Sequence, residues 1–219
     1  MVLNNMKQKI ELSAHGHQAW TRLFKDFSLT PEAIAGVQTY MHALHEWNQK
    51  TNLTRITDWY EVIEYHIRDS LIFGKMVDCS KELLICDVGT GGGLPGIPLK
   101  IVYPHLNIIL IEVVERKVEF LNHVIQLLEL KNIDVCTLDW RTFLRSTEAP
   151  INYFVARASL RPDELLRAYK PSSAYHKANV VYWAIDAWQP TIKEEKNVSR
   201  EYSYVVGEKP RKLIQFSYK

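Results

Sequence analysis

A chain of 219 residues, 47% hydrophobic with a formal net charge of +2, can build one α/β domain and a modest appendage, and it permits a nucleic-acid partner without demanding one. Cys79, Cys86 and Cys136 are odd in number and unclustered, which excludes a disulfide framework or a cysteine-built zinc site and fits reduced core thiols. No apolar run approaches the ~20 residues of a membrane span and the first residues lack a basic-then-apolar signal pattern, so a cytoplasmic protein with no membrane partner is expected.

In chain order, Thr30-Pro31-Glu32 offers a capping hydroxyl with proline at the first helical position. Ile34, Val37, Met41 and Leu44 recur behind it at helical spacing, with Trp47 beyond, until Asn48-Gln49-Lys50-Thr51-Asn52 breaks the pattern. A second helix is predicted from Asp58, carrying Val62, Ile63, His66, Ile67 and Leu71. His66 and Asp69 share one of its faces. With no Ser or Cys nucleophile motif beside them, they read as a polar network tying these helices to the rest of the chain. His15/His17 and His42/His45 have no metal-ligand context, and no metal is expected. Lys50, Arg55 and Arg68 suit either RNA phosphate or a solvated polar loop. The pattern changes near residue 80, dividing a helical extension (1–80) from a second unit (81–219).

From there strands and helices alternate: strand 82–88, helix 96–103, strand 107–112, helix 115–130, strand 133–138, strand 152–157, helix 162–169 and strand 179–185. Tyr202–Val206 and Leu213–Ser217 then read as a terminal hairpin. Such alternation predicts an α/β fold with a Rossmann-like sheet, whose ligands bind at the carboxyl edge. There the first strand ends in Asp87, and five glycines fall within eight residues, in Gly89-Thr90-Gly91-Gly92-Gly93-Leu94-Pro95-Gly96. Glycine lets the backbone turn at positive φ and approach a ligand closely. Gly91-x-Gly93-x-x-Gly96 formally satisfies a dinucleotide fingerprint, but the leading acid and the prolines at 95 and 98 argue against a pyrophosphate. A carboxylate suits the sulfonium and amino group of S-adenosylmethionine instead.

The second strand ends in Glu112, at the spacing where an acid reaches a ribose hydroxyl pair in either type of cofactor. The third ends in Asp139-Trp140, able to accept from an adenine amino group and cover its ring, or, for Trp140, to sit in the core. Arg157 ends the fourth strand at the functional edge, as a site residue or a structural ion pair. The cofactor-binding set is therefore expected among Asp87, Gly89, Thr90, Gly91, Gly93, Leu94, Glu112, Asp139, Trp140, Arg141 and Arg157, with no catalytic acid–base pair.

The stretch Gly89–Pro98 resembles the loop of the bacterial small-subunit (16S) rRNA guanine-N7 methyltransferase G family, also called the glucose-inhibited division protein B family. Asn52-Leu53-Thr54-Arg55-Ile56-Thr57 and His66-Ile67-Arg68-Asp69-Ser70-Leu71 resemble its N-terminal signature. Glu112-x-x-x-Arg116-Lys117-Val118-x-Phe120-Leu121 resembles its second-strand block, and Ala156-Arg157-Ala158 its fourth-strand end. The resemblance implies a class I methyltransferase sheet, S-adenosylmethionine as cofactor, and 16S rRNA or the small ribosomal subunit as partner. The chain departs from the family pattern at Asp139-Trp140-Arg141, where Arg141 replaces an acid, and at Ser172–Lys177, where a glycine-rich turn is usual. It departs again at Asp186, where the fifth strand usually runs into Lys-Gly. The alternatives are an NAD(P)-linked oxidoreductase and a catalytically silent RNA- or ribosome-binding paralogue of the same fold.

Overall fold

The structure, a computed structural model, describes residues 12–219; the first residues, whose lack of a signal pattern was noted, lie outside the described part. Helix α1 (Ala14–Phe27) opens it, with Ser13 Oγ accepting from Gly16 N. It adds a helix to those expected, burying Gly16, Ala19 and Leu23 with Trp20 and Phe27 packed against the core beside them. Helix α2 (Pro31–Thr51) begins as expected, with Thr30 Oγ1 accepting from Ala33 N at 3.2 Å. It runs a turn further than expected, because Asn48–Thr51 are polar yet helical, and it stops where Asn52 turns left-handed at φ 49°.

The second expected helix starts under the Asp58 cap as α3 (Trp59–Glu61) but winds as a π-helix over Val62–Arg68 before α4 (Asp69–Leu71) and α5 (Phe73–Met76). Seven strands follow: β1 (Leu84–Val88), β2 (Asn107–Ile111), β3 (Ile133–Cys136), β4 (Tyr153–Ala156), β5 (Asn179–Ile185), β6 (Val198–Val206) and β7 (Lys209–Phe216). Between them lie α6 (Gly96–Val102), α7 (Glu115–Leu127), α8 (Trp140–Ser146), α9 (Pro162–Leu165) with a 3₁₀ turn (Leu166–Tyr169), and α10 (Ile192–Glu195).

The sheet order is β3-β2-β1-β4-β5-β7-β6. β1 to β5 are parallel, and β7 and β6 return antiparallel as the expected hairpin. The order reverses between β2 and β4 on either side of β1, opening a crevice at that strand's carboxyl end. Both sheet faces are buried. Val155 of β4 belongs to a core shared with α2, the π segment, α6 and α7, while its neighbours Phe154 and Ala156 face the core of α8 and α9. The N-terminal helices thus cover one face as integral layers.

Two buried carboxylates bind them there. Asp69, 2% exposed, pairs with Arg157 at 3.0 Å and accepts from the Tyr204 hydroxyl at 2.7 Å, while its carbonyl accepts from Trp183 Nε1. Glu64 accepts from Arg22 and from Gly207 N. Arg68, weighed above as an RNA contact, is instead buried against Asp26, Glu64 and the carbonyl of Val205, so its donors are spent inside the fold. Lys50 and Arg55 remain exposed. Among the described residues no helix is long and apolar enough to cross a membrane.

Removing Asp69 leaves the Arg157 charge buried without its partner. Asp69→Ala should therefore lower stability by about 3–5 kcal/mol in urea unfolding. A loss within the range of ordinary surface substitutions would show that the pair holds nothing together.

Candidate functional site

The glycine loop leaves β1 into the crevice. Asp87 is fully buried; its Oδ2 accepts from the Thr90 hydroxyl at 2.6 Å and from Gly96 N at 2.8 Å, while Oδ1 has no partner. Burial pushes this carboxyl up to about 6, against those two hydrogen bonds. Glu112 closes the loop from the neighbouring strand. Its Oε1 accepts from Val113 N and Val114 N at 2.9 Å each, and its Oε2 accepts from Gly91 N at 3.1 Å, with Lys117 3.7 Å away. Tyr40 of α2 reaches across to donate to the carbonyl of Gly92 at 2.6 Å. The loop is fixed from three sides.

Its side chains are engaged within the fold. Thr90 is spent on Asp87 and Leu94 packs in the core, so this stretch offers backbone. Gly91 and Gly93 differ in why they must be glycine. Gly91 has φ 61° and nothing within 4 Å of where a Cβ would stand. At Gly93, φ 90°, a Cβ would meet Ile97 Cγ1 at 2.4 Å. The first leaves space above the loop and the second packs the loop on its own helix.

At the third strand, Asp139 caps α8, taking the N–H groups of Arg141 and Thr142 on Oδ1 and the Thr142 hydroxyl on Oδ2. Those bonds hold its carboxyl below the usual range and leave capacity on Oδ2 only. Of its two open roles, Trp140 takes the core one: it is 5% exposed, its ring centroid 4.9 Å from that of Phe154, and Nε1 donates to the Glu164 carbonyl. The residue still borders a cleft of about 430 Å³ with Asp139, Arg141, Ser159, Leu160 and Glu164. Arg141 is forked onto Glu164 through Nε (2.7 Å) and Nη2 (3.1 Å). Arg157 forms the ion pair with Asp69 described above and also donates to the Tyr65 carbonyl. Beside it His66, bonded through Nε2 to Thr54 Oγ1, is driven down to about 3 by burial and then by Arg157, and so stays neutral.

Three residues at this edge escaped the sequence reading. Tyr40 shares the buried face of Val37, Met41 and Leu44, but only the aliphatic members of that face served to predict α2. Ser159, whose hydroxyl donates to the Val88 carbonyl at 2.6 Å, follows the Arg157 segment without a distinctive pattern. Val113 is 58% exposed immediately after Glu112, an aliphatic surface where a strand end would ordinarily be polar.

A family profile described as rRNA small subunit methyltransferase G matches residues 33–184, more than half of the chain. The chain belongs to this family. Ribosomal RNA small subunit methyltransferase G of Bacillus cytotoxicus is 38% identical over 134 residues, which cover 61% of this chain and 56% of the relative. The chain thus spans about half the length of the curated relatives it matches. Among solved structures, ribosomal protein L11 methylase from Lactobacillus delbrueckii subsp. bulgaricus aligns with TM-score 0.51 at 17% identity, over 70% of this chain and 79% of that one. A SAM dependent methyltransferase from Aquifex aeolicus aligns with TM-score 0.50 at 16% identity, over 71% and 93%. These likenesses show the class I methyltransferase fold. The segment that matches the rRNA small subunit methyltransferase G family runs from α2 to β5 and contains Tyr40, Asp87, the glycine loop, Glu112, the 139–141 turn and Arg157. Among the described residues no group of three or more His, Cys, Asp or Glu side chains stands together as a metal-binding set.

The two glycines should separate in experiment. Gly93→Ala should drop the melting temperature markedly, since Ile97 must move. Gly91→Ala should cost only about 1 kcal/mol of left-handed backbone strain. Equal melting of the two variants would contradict the packing described here.

Proposed function

We propose that this chain is an S-adenosylmethionine-dependent methyltransferase that modifies N7 of a guanine in 16S rRNA, in the cytoplasm, as free rRNA or within the small subunit. The observation that carries the reading is the acid-led glycine loop clamped by Glu112 in a chain of this family. The residues fit the cofactor. The Asp87 carboxylate, with one oxygen unpaired, supplies negative charge beneath the loop for a cationic amino acid. Glu112 retains capacity on Oε2 for a ribose hydroxyl, and exposed Val113 offers an apolar surface to a purine. Asp139 Oδ2 is placed to accept from an exocyclic amine. Arg157 acts through Asp69 and Tyr65 as a positioning residue at this edge.

When bound, the cofactor supplies a sulfonium methyl that the N7 lone pair takes directly, so that no proton has to be removed. The chain needs no general base for this. Its rigid loop must hold the donor so that an unpaired base meets it in line, a form of positioning that supplies ~7–11 kcal/mol in well-oriented reactions. Neutral His66, buried beside Arg157 and bonded to Thr54, adds no changing charge next to that positioning residue.

Calorimetry with S-adenosylmethionine, S-adenosylhomocysteine and NADH tests the cofactor; preference for NADH would remove the reading. Cleavage mapping of 16S rRNA by reduction and aniline, in cells with and without the gene, tests the substrate. A deletion strain that keeps every N7-methylguanosine cleavage would refute it.

The raised Asp87 carboxyl gives a signed pH dependence. A cationic ligand favours the ionised form, so affinity for S-adenosylmethionine should weaken up to about tenfold as pH falls from 7 to 5, through the folded value of about 6. Without ligand the sign reverses. Because the folded value lies above the ordinary 3.8, the contribution of Asp87 to stability is present below about 4 and lost as pH rises through about 6. Asp87→Asn should flatten the binding profile; an unchanged profile in that variant would assign the titration to another group.

A further inference from the structure

Two of the three segments in which the chain departs from the family pattern meet in space. Arg141 belongs to the first departure and Ser172, Ser173 and Ala174 to the second. Together with Leu144, Arg145, Thr147, Glu148, Arg167 and Lys170 they line one open cleft of about 480 Å³ between α8 and the turn after the 3₁₀ segment. It lies beside the Trp140–Ser159 cleft and shares Arg141 with it, so it continues outward from the edge of the cofactor site.

We infer that this cleft is a binding site for the phosphodiester backbone of RNA flanking the target nucleotide, an inference that rests on the RNA methyltransferase reading above. Four cations border it. Glu164 holds two of them, Arg141 by a fork through Nε and Nη2 and Arg167 through Nε at 2.8 Å, so both guanidinium groups are oriented. Arg145 donates to the Thr142 hydroxyl, and neither it nor Lys170 has a carboxylate partner among the described residues. Arg141 and Arg145 are one helical turn apart on the same side of α8, about 6 Å along its axis. With Arg141 and Arg145 along α8 and Arg167 and Lys170 on the facing turn, positive charge is spread over an open groove, which suits an extended polyanion such as an RNA strand. The serine hydroxyls at 172 and 173 add donors beside the cations. The opposing charges are Glu148, the already engaged Glu164 and Asp139, which lies within electrostatic reach of Arg145.

The test uses the full chain and a labelled 20-nucleotide single-stranded oligoribonucleotide, whose binding needs no cofactor. Anisotropy is read across a salt series for wild type, for Arg145→Ala/Lys170→Ala, and for a control pair of exposed lysines elsewhere, Lys81→Ala/Lys131→Ala. The groove pair should weaken binding at low salt about tenfold. Its plot of log affinity against log salt should be shallower by about 1.4, the loss of two phosphate contacts on a single strand. Melting temperature and S-adenosylhomocysteine affinity should match wild type. An unchanged affinity and slope, or a loss no larger than that of the control pair, overturns the proposal. So does saturable, groove-dependent binding of AMP, inorganic phosphate or polyglutamate without a groove-dependent effect on RNA. Absence of S-adenosylhomocysteine binding in wild type would instead strike the cofactor reading and leave the RNA measurement interpretable.

Discussion

The structure depends on one buried ion pair. Asp69 sits just past the π-helical turn and touches three strands of the sheet: β4 through Arg157, β5 through Trp183 and β6 through Tyr204. A charge pair with so little water access stabilises only if its groups are well bonded; here both Asp69 oxygens and Arg157 Nη1 have partners. The helical turn supplies the carboxylate and also the Tyr65 carbonyl that accepts from the same Arg157 nitrogen. The π winding is the local cost of that registry, since one wider turn sets residues 62–69 against both the sheet edge and Arg22. Remote sequence segments are thereby locked before any ligand arrives.

On that frame the cofactor loop is held by three polar contacts of different origin. Asp87 anchors it from its own strand, Glu112 from the next, and Tyr40 from the N-terminal helices. A glycine-rich loop left to itself would sample many shapes, and ordering it would weaken binding. Here the ordering is done by folding. The site is stiff because the parts around it are buried, and Tyr40 makes the helical segment part of the crevice as well as its cover.

The sheet was legible in the sequence because its strands are apolar runs punctuated by acids and glycines, and every strand and its direction came out as read. Leu83–Val88 and Asn107–Ile111 are of this kind. Helix α1 was not read although Ala19, Trp20, Leu23 and Phe27 recur at helical spacing, since His15, Gly16 and His17 give it an unpromising start. Of the site, the residues that mark strand ends were visible, whereas their roles were not. Whether Trp140 packs or stacks, and whether Arg157 meets a ligand or Asp69, depends on partners far away along the chain. Tyr40 illustrates the limit: nothing local to residue 40 says that a loop fifty residues later will present a carbonyl to it.

Glu112 carries two obligations at once. The carboxylate proposed to meet the ribose is also the acceptor that ties Gly91 to the second strand and caps the turn into α7. A lineage that drifted toward a different nucleotide, for example one bearing a phosphate where this site expects a hydroxyl, could not simply exchange the acid for a cation. It would first have to find another acceptor for three backbone N–H groups. The acid at this position is therefore held by architecture as well as by chemistry: its exchange would unmake the loop before it remade the ligand preference.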